Sequence, residues 1–372
     1  MRIGILGGGQ LGRMMGLAGL EMGLEFHFYD TAADAVAGQV APLTVGAYND
    51  WEKLQAFAAG CRLVTYEFEN VPLETAQFLR QQGAEVFPPP LALEVAQDRV
   101  VEKTFLQGLG IPVPLFHAVL TKNDLLEGLE RTGYPAVLKT RRLGYDGKGQ
   151  ALIGGPGETE RAWEELGGQP LILEAFVAFE REVSLIAARG RGGQTAFYPL
   201  TENWHRGGIL RQSEARPVGL EGLFAEACGY ATRLLERLEY VGVLAIEFFV
   251  VGGAGSPAGT RLVANEIAPR VHNSGHWTQN GAGTSQFENH LRAVLGWPLG
   301  STGARGQAAM LNLIGVQPSP TQVLQIEGAH HHWYGKAVRA GRKVGHVNIT
   351  ADSPQQLQER VGRVKALLES LA

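Results

Sequence analysis

Hydrophobic and polar positions follow a repeating order from the start of the chain to Phe87. Short apolar runs bounded by glycine or polar residues are typical of buried strands. They lie at Arg2–Leu6, Glu25–Tyr29, Leu43–Val45, Arg62–Tyr66 and Glu85–Phe87. Segments with the helical spacing of apolar residues separate them, at Leu11–Met22, Asp50–Ala59 and Leu73–Gln82. This alternation predicts a doubly wound parallel sheet of the Rossmann type, and therefore an α/β protein.

A proline triplet at Pro88 to Pro90 ends this pattern. Helical spacing then predicts one continuous helix from Leu91 to Leu109, closed by Gly110 and Pro112. A second, smaller unit follows between Phe116 and Leu173. Its predicted elements are helices at Asp124–Arg131 and Glu158–Leu166 and strands at Ala136–Lys139 and Ala151–Ile153.

The apolar runs become longer after Leu171 and predict an antiparallel sheet, so that the C-terminal part is α+β. These runs are Glu182–Ala188, Thr195–Pro199, Gly242–Val251 and Arg261–Ile267. Helices are predicted at Leu220–Leu238 and Thr284–Leu295, with an amphipathic helix at Pro354–Leu371 that caps the fold. We therefore predict three domains, with bounds 1–105, 106–172 and 173–372.

Composition restricts the classes of function that remain. The chain has 372 residues, 45% of them hydrophobic and 19% charged, with a net charge of −4 that argues against a nucleic-acid partner. No apolar run reaches the ~18 residues that a membrane span needs. The start of the chain does not have the pattern of a signal peptide, and Cys61 and Cys228 have the apolar or helical neighbours typical of structural thiols. We expect a soluble, cytoplasmic protein without a membrane partner.

Two carboxylates interrupt the apolar runs Leu244–Val251 and Arg261–Ile267. A strand interior excludes a bare carboxylate unless it is paired, hydrogen-bonded or bound to a metal. Glu247 and Glu266, with Asn265 beside the second, provide the hard oxygen ligands that suit Mg²⁺ carrying nucleotide phosphates. The alternative is a pair of exposed strand carboxylates followed by a polar loop. That loop contains a dense polar cluster, namely Arg270, His272, Asn273, Ser274 and His276.

A glycine fingerprint follows the first predicted strand. Gly7, Gly9 and Gly12 have the G-x-G-x-x-G spacing, and Asp30 ends the second strand. Such glycines let a phosphate approach the backbone at a helix N-terminus. The motif fits an NAD enzyme and equally fits a domain that holds another phosphorylated ligand. No complete second mononucleotide-binding half follows, which weakens the NAD interpretation.

A second glycine-rich loop follows the strand that ends at Lys139. Residues 141–150 read RRLGYDGKGQ, without the spacing or the terminal Lys-Ser/Thr of a P-loop. A basic residue beside such a loop can hold the phosphates of a nucleotide while backbone N–H groups close over them. The alternative interpretation is a β-hairpin turn with solvated charges.

Taken together, these motifs resemble the ATP-grasp superfamily and, within it, the 5-(carboxyamino)imidazole ribonucleotide synthases of purine biosynthesis. The resemblance runs in order along essentially the whole chain. It rests on GGGQLGRM (7–14), TYEFENV (65–71), DR (98–99), GYDGKGQ (144–150), REVSLIAAR (181–189), FYPLTEN (197–203), NEIAPRVHNSGHWTQNG (265–281) and HWYGKAVRAGRKVGHVN (332–348). Leu143 departs from it, because many members have a second glycine there.

The resemblance implies a Rossmann-like pre-ATP-grasp domain, a small lid and a C-terminal ATP-grasp domain. It implies a ligase that carboxylates 5-aminoimidazole ribonucleotide with bicarbonate and ATP through carboxyphosphate, with Mg²⁺ as cofactor and a homodimer as the assembly. The roles that it implies for catalysis fall on Lys139, Arg270, His272 and Asn273. Those for Mg²⁺ fall on Glu247 and Glu266.

The resemblance also implies two sets of binding residues. For ATP they are Arg99, Lys139, Gly144, Tyr145, Asp146, Gly147, Lys148, Gly149, Gln150, Glu174, Ala175, Phe176, Val177, Glu182, His205, Asn265 and Glu266. For the ribonucleotide they are Gly9, Gln10, Leu11, Glu67, Tyr145, Asp146, Lys336, Arg342 and Lys343. For Glu67 a hydrogen-bonded structural carboxylate is an equal alternative.

Other functions remain open at this point. One is a sister ATP-grasp ligase, such as the formate-dependent glycinamide ribonucleotide enzyme. Others are an NAD-dependent oxidoreductase and a non-catalytic nucleotide-binding module. A metal site at His330, His331 and His332 is disfavoured, because adjacent residues of an extended segment face opposite sides.

Overall fold

The computed structural model describes residues 1–144, 147–252 and 259–371. The N-terminal part contains strands β1 (Arg2–Leu6), β2 (Glu25–Asp30), β3 (Leu43–Val45) and β4 (Leu63–Tyr66) and helices α1 (Gln10–Leu20), α2 (Trp51–Ala59) and α3 (Leu73–Gln81). The strands are all parallel and lie in the order β3-β2-β1-β4. The predicted parallel sheet is confirmed. The predicted strand Glu85–Phe87 is wrong, because Val86 forms only an isolated bridge with Val64.

The helix predicted from Leu91 to Leu109 is also wrong, because two helices stand there. They are α4 (Pro90–Ala96) and α5 (Arg99–Gly108). Asp98 between them is extended, and its carboxylate accepts hydrogen bonds from the backbone N–H groups of Val100 and Val101 at 3.0 and 3.3 Å. Arg141 donates to both oxygens of that carboxylate. This capping interaction starts a new helix and puts Arg99 in its first turn.

The small unit contains β5 (Phe116–Val119), α6 (Lys122–Thr132), β6 (Ala136–Thr140), β7 (Gln150–Ile153), α7 (Thr159–Leu166) and β8 (Leu171–Ala175). Its four strands are antiparallel, in the order β5-β8-β6-β7. Leu125, Leu138 and Leu171 form part of its separate apolar core. Lys139 pairs with Gln150 across β6 and β7, so the glycine-rich loop joins two hydrogen-bonded strands.

The C-terminal part is built on a large antiparallel sheet. Its elements are β9 (Arg181–Arg189), β10 (Thr195–Phe197), β11 (Thr201–Arg206), β12 (Ile209–Ala215), α8 (Leu223–Arg237), β13 (Gly242–Val251), β14 (Arg261–Ala268), α9 (Thr278–Gly281), α10 (Gln286–Leu295), β15 (Gln307–Ile314), α11 (Pro320–Leu324), β16 (Ala329–Trp333), β17 (Lys343–Ala351) and α12 (Pro354–Glu369). Across the described ranges, the strand order is β14-β13-β9-β11-β12-β15-β17-β16, and β10 pairs with β9. The predicted antiparallel sheet is confirmed, and α12 packs on β15 and β17 as the predicted cap.

Helix α10 connects the N-terminal sheet with the large sheet. It contacts both α1 and β13, and its apolar side chains Phe287, Leu291 and Val294 are fully buried between them. On the same helix, His290 accepts a hydrogen bond from the backbone N–H of Val243 at 3.1 Å, and its other ring nitrogen lies 2.8 Å from Thr65 Oγ1. A neutral ring that accepts at Nδ1 donates at Nε2, so one side chain satisfies polar groups from both sheets.

Candidate active site

A cavity of about 470 Å³ is lined by residues from the N-terminal part, the small unit and the large sheet. Gln10 and Leu11 come from the first turn of α1, Lys139 from the small sheet, and Glu247 and Glu266 from the large sheet. The strands of the large sheet position its wall, whereas the loop between β6 and β7 forms one rim. Residues that are far apart in the sequence therefore share one concave site, which is the usual form of a small-molecule site.

Glu247 and Glu266 are direct neighbours on β13 and β14, and a register shift follows Glu247. Loss of hydration and the charge of Glu266 raise the pKa of the Glu247 carboxyl above its ordinary value. Beside the pair, Asn265 Oδ1 is buried and has no hydrogen-bond partner among the described residues. Two carboxylates and an unsatisfied amide oxygen are the donor set that Mg²⁺ accepts together with phosphates. In the described ranges, no group of three or more His, Cys, Asp or Glu side chains forms a complete metal cage.

A chain of alternating charges runs from the small sheet to helix α5. Lys139 Nζ lies 2.9 Å from Glu174 Oε2, and the other oxygen of Glu174 lies 3.4 Å from Lys103 Nζ. Lys103 is fully buried and also donates to the backbone carbonyl of Asn265 at 2.9 Å. Burial alone would raise the pKa of the Glu174 carboxyl, but the two ammonium groups lower it to about 2. Lys103 was not predicted from the sequence, although it connects α5, β8 and β14.

Arg99 connects the same region to the carboxylate pair. Its Nη1 lies 2.9 Å from Glu266 Oε2, and its Nη2 lies 3.4 Å from the carbonyl oxygen of Gly144 in the glycine-rich loop. Glu102, one turn later on α5, accepts a hydrogen bond from the backbone N–H of Ile267 at 2.6 Å. Burial raises the pKa of this carboxyl to about 8. Glu102 lines the cavity and was also missed in the sequence analysis.

An apolar slot lies at one side of the cavity. Phe179 and Phe249 stack with ring centroids 4.6 Å apart, and Phe176 is half exposed nearby in the cavity wall. Glu182 stands at the edge of the slot and accepts a hydrogen bond from the His205 ring at 2.9 Å. A flat apolar ring system can pack against such side chains, with polar groups at its rim.

The segment after β14 places three polar side chains, Arg270, His272 and Asn273, in the cavity lining. Arg270 forms an ion pair with Glu69, and burial together with Arg270 lowers the pKa of His272 to about 3. His272 Nε2 lies 3.3 Å from Glu247 Oε1. The side-chain amide of Asn273 is buried and makes no hydrogen bond within the described part of the chain. A fixed guanidinium, a neutral imidazole and an unsatisfied amide together suit a small, planar anion.

Glu67 occupies the glycine fingerprint. Its carboxylate accepts hydrogen bonds from the backbone N–H groups of Gly9 and Gly12, the latter at 2.5 Å, and the side chain is 6% exposed. An anion at a helix N-terminus is stabilised by the helix dipole, and here the protein supplies that anion itself. The place that a dinucleotide phosphate takes in an NAD enzyme is therefore filled. These contacts are those of a hydrogen-bonded structural carboxylate, the alternative that the sequence analysis gave for Glu67.

The remaining predicted residues divide into three groups. Those that line the cavity are Gly144, Gly147, Lys148, Gln150, Glu174, Ala175, Val177 and Lys343. Those that do not line the cavity are Gly9, Glu67, Gly149, Lys336 and Arg342. Lys336 nevertheless forms a hydrogen bond with Gln10 of the lining, and Arg342 donates to the carbonyl of Ala337 at 3.4 Å. Tyr145 and Asp146 lie outside the described residues.

Comparison with known proteins supplies the decisive observation. The chain is 50% identical, over the full length of both chains, to N5-carboxyaminoimidazole ribonucleotide synthase of Pseudomonas aeruginosa. Its structure matches that of N5-carboxyaminoimidazole ribonucleotide synthetase from Thermus thermophilus with a TM-score of 0.92 and 58% identity over 98% of each chain.

The chain belongs to the N5-carboxyaminoimidazole ribonucleotide synthase family.

Models of this family's parts match along the chain. The ribonucleotide synthetase preATP-grasp domain matches residues 1–97, the ATP-grasp domain 104–287, and the phosphoribosylaminoimidazole carboxylase C-terminal domain 308–360. The enzyme from Aspergillus clavatus, solved in complex with ADP and 5-aminoimidazole ribonucleotide, is 27% identical with a TM-score of 0.89 over 100% of this chain and 99% of its own. The predicted family and ATP-grasp fold are confirmed, and the protein is an ATP-dependent ligase.

Membership of the N5-carboxyaminoimidazole ribonucleotide synthase family also decides between the alternatives. It favours the bicarbonate-using ligase over the formate-dependent sister enzyme, the oxidoreductase and the non-catalytic module. His330, His331 and His332 lie on strand β16, as the extended pattern predicted. In the residues that the structure describes, no helix is long and apolar enough to cross a bilayer.

Proposed function

We propose that the protein catalyses the ATP- and bicarbonate-dependent carboxylation of 5-aminoimidazole ribonucleotide, giving N5-carboxyaminoimidazole ribonucleotide, ADP and phosphate. The observation that supports this most directly is the carboxylate pair Glu247 and Glu266, which shares one cavity with Lys139, Arg270 and His272. Phosphate chemistry and anion chemistry thereby share one enclosed space. Relatives that were solved with ADP and with ADP plus 5-aminoimidazole ribonucleotide support the same assignment.

The first step activates bicarbonate, which is a poor electrophile. A bicarbonate oxygen attacks the γ-phosphorus of ATP and the bond to the β–γ bridging oxygen breaks, so that carboxyphosphate forms and ADP leaves. We assign Lys139 and Arg99 to the phosphate oxygens, because both cations point into the cavity beside the glycine-rich loop. Residues Gly144 to Gln150 would close over the phosphates. The slot at Phe176, with Ala175 and Val177, would hold adenine, and Glu182 with His205 the ribose.

Glu247, Glu266 and the oxygen of Asn265 fit a magnesium ion, which supplies positive charge to the phosphate oxygens when it is bound. Arg99 already compensates part of the charge of Glu266 at 2.9 Å. When ATP binds, its phosphates therefore compete with Glu266 for the Arg99 guanidinium. This exchange would release Glu266 for the metal.

The second step transfers the carboxyl group. The exocyclic amine of the ribonucleotide attacks the carboxyl carbon of carboxyphosphate, the bond from that carbon to the phosphate oxygen breaks, and phosphate leaves with the proton that the amine loses. We assign Arg270, His272 and Asn273 to the carboxyphosphate. Glu69 holds the Arg270 guanidinium in place from behind, which preorganises it for the anion.

We place the ribonucleotide along the first turn of α1. Gln10 and Leu11 line the cavity there, and Lys336 reaches Gln10 from the loop before β17. With Arg342 and Lys343 it forms a small basic group for the 5′-phosphate. Gly9, Tyr145 and Asp146 belong to the same proposal, as does Glu67, which would meet the ribose only by exchanging a backbone partner.

The test is ADP release from Mg·ATP and bicarbonate with and without 5-aminoimidazole ribonucleotide. Strong stimulation by the ribonucleotide supports the proposal, whereas stimulation by glycinamide ribonucleotide with formate would transfer the enzyme to its sister class. Bicarbonate labelled with ¹⁸O adds a direct probe of the first step. Carboxyphosphate requires that one labelled oxygen appears in the released phosphate, and unlabelled phosphate would exclude that intermediate.

The family resemblance also supports a homodimer located in the cytoplasm, and both belong to this proposal. Light scattering of the purified protein tests the assembly. A mass of one chain, 40.1 kDa, would contradict the dimer.

A further inference from the structure

A chain of buried polar side chains lies directly behind the ribonucleotide side of the cavity. Tyr334 Oη lies 2.7 Å from His346 Nδ1 and 3.4 Å from His276 Nδ1, and His346 Nε2 lies 2.9 Å from Gln279 Oε1. The two histidine rings are 4.7 Å apart between centroids. His276 is 2% exposed and His346 is fully buried, so water does not compete for these contacts.

The acceptor at one end of the chain determines which atom donates at each link. Gln279 Oε1 is a carbonyl oxygen, so His346 carries its proton on Nε2 and leaves Nδ1 as an acceptor. Tyr334 therefore donates its hydroxyl proton to His346 Nδ1 over the shorter of its two contacts. Its oxygen is then free to accept, and His276 donates from Nδ1. The chain thus holds His276 in the tautomer whose Nε2 bears a lone pair and no proton.

That lone pair is the open end of the chain. His276 Nε2 is buried and has no hydrogen-bond partner in the described part of the protein, although His276 and Tyr334 both line the cavity. A buried acceptor without a partner costs free energy, and in an active site the partner is commonly a ligand. Burial lowers the pKa values of His276 and His346 well below their ordinary value, which keeps both rings neutral.

The chemistry of the acceptor selects its ligand atom. A bare imidazole nitrogen accepts only from an N–H or O–H group, so it repels the phosphate oxygens of either substrate. His276 stands near Arg270 and His272, which the proposed function assigns to carboxyphosphate. The donor of the ribonucleotide that must come to that place is its exocyclic amine, because the amine has to reach the carboxyl carbon.

We propose that His276 Nε2 accepts a hydrogen bond from the exocyclic amine of the ribonucleotide, and that Tyr334, His346 and Gln279 are positioning residues that hold His276 in the required tautomer. This inference rests on the proposed function and deepens it. One amine N–H is held by His276, so the nitrogen lone pair turns toward the carboxyl carbon. As the C–N bond forms, the other amine proton leaves with the phosphate, and His276 remains neutral throughout.

Two substitutions of His276 distinguish the contribution of Nδ1 from that of Nε2. His276→Asn keeps a donor near Nδ1 for Tyr334 and removes the acceptor at Nε2, whereas His276→Gln puts an amide oxygen near the Nε2 position. We expect His276→Asn to lower kcat/KM for the ribonucleotide about 10- to 100-fold, the range for a lost hydrogen bond in a buried site. The KM for ATP should change less than about threefold. His276→Gln should recover most of the loss.

His331→Asn is the matched control. The Nε2 atom of His331 is also buried without a partner in the described ranges, but His331 does not line the cavity. Its substitution should leave both KM values as they are in the parent protein. An equal loss in His276→Asn and His276→Gln, or a parental rate in His276→Asn, would overturn the proposal.

A second measurement needs neither turnover nor a folded His276 variant. The ¹⁵N spectrum of histidine-labelled parent protein should show His276 with a protonated Nδ1 and a bare Nε2, and the Nε2 signal should move when the ribonucleotide is added. Tyr334→Phe should let the His276 proton move between Nδ1 and Nε2, and this should change the His276 signals. A protonated Nε2 in the parent would overturn the proposal. Absence of ribonucleotide-stimulated ADP release would instead overturn the proposed function, since the tautomer is observed in the protein without substrates.

Discussion

At the scale of single residues, charge buried under the site matters as much as charge facing the cavity. Lys103 is fully buried and bridges Glu174 and the carbonyl of Asn265, so it supports both Lys139 and the carboxylate pair from below. Desolvating a lysine is costly unless its partners are well placed. The arrangement therefore indicates that this residue positions the phosphate-binding groups.

Lys103→Met removes that charge while it keeps much of the side-chain volume. We expect the free energy of unfolding to fall by about 3–5 kcal/mol, the range for breaking a buried ion pair, together with a rise of the KM for ATP. Denaturant unfolding and steady-state kinetics measure the two effects. Lys122→Met is the control, because Lys122 pairs with Glu160 at an exposed position and should cost at most about 1 kcal/mol. If both variants lowered the free energy of unfolding by a similar, small amount, Lys103 would not stabilise the protein as a buried ion pair does.

Glu266→Gln tests the carboxylate pair. The amide keeps the shape of the side chain and a carbonyl oxygen, but it removes the negative charge that a magnesium ion and Arg99 share. We expect a fall in kcat of at least about 100-fold with unchanged thermal unfolding. Rates are to be measured over a titration of Mg²⁺. A near-parental rate at saturating metal would exclude Glu266 as a ligand.

The sequence was informative where a charged residue interrupts an apolar run. Glu247 and Glu266 were predicted in this way, and Lys139 from its place at the end of a strand beside the glycine-rich loop. All three line the cavity. Lys103 and Glu102 escaped because each occupies a position on the polar face of an amphipathic helix, where charge is ordinary. His276 and Tyr334 were visible only as members of polar motifs. Nothing in one sequence shows that a polar helix face is covered by a strand of another domain.

At the scale of elements, the break between α4 and α5 is the feature that the sequence pattern concealed. Asp98 fits the helical period, yet its carboxylate caps α5 and binds Arg141. In the large sheet, strand β11 was missed because polar residues, Thr201 and Asn203, occupy its buried positions. Local propensity does not distinguish these positions from loops, because their neighbours across the sheet decide the outcome.

Asp98→Ala removes the cap and the partner of Arg141 at once. We expect a loss of about 1–2 kcal/mol in the free energy of unfolding, and a higher KM for ATP because Arg99 begins the helix that is no longer fixed. Asp50→Ala is the matched control, since Asp50 caps α2 by accepting from Lys53 and does not line the cavity. It should cost similar stability and leave the KM for ATP unchanged. Equal kinetic effects would argue against the link to Arg99.

At the scale of the whole molecule, the site exists only when three sheets are packed together. Helix α10 joins two of them, and His290 provides hydrogen bonds to both. The parallel type of the first sheet and the antiparallel type of the last followed from the sequence pattern. The domain bounds at 105 and 172 stay predictions, and the distances across the cavity depend on packing that no periodicity encodes.

His290 predicts how stability depends on pH. Burial lowers its pKa from 6.5 to about 4, so the unfolded chain takes up a proton below pH 6.5 while the folded protein resists it. The contribution of His290 is complete above pH 6.5 and falls between pH 6.5 and 4, by about 3 kcal/mol at most. Urea unfolding over this range measures it. His290→Asn, which keeps an acceptor for Val243, should give a flatter dependence, and parallel curves would show that other groups cause the slope.

The carboxylate of Glu67 has a consequence for how genomes are interpreted. A glycine fingerprint describes only a backbone path that exposes N–H groups. In this protein those N–H groups donate hydrogen bonds to the carboxylate of Glu67. The motif alone would send an automatic search toward redox enzymes. Such a search can use a second criterion. In this protein β4 lies beside the strand that precedes the glycines, and the acidic residue Glu67 follows β4 directly. The combination separates a vacant phosphate cradle from one that the protein has already filled.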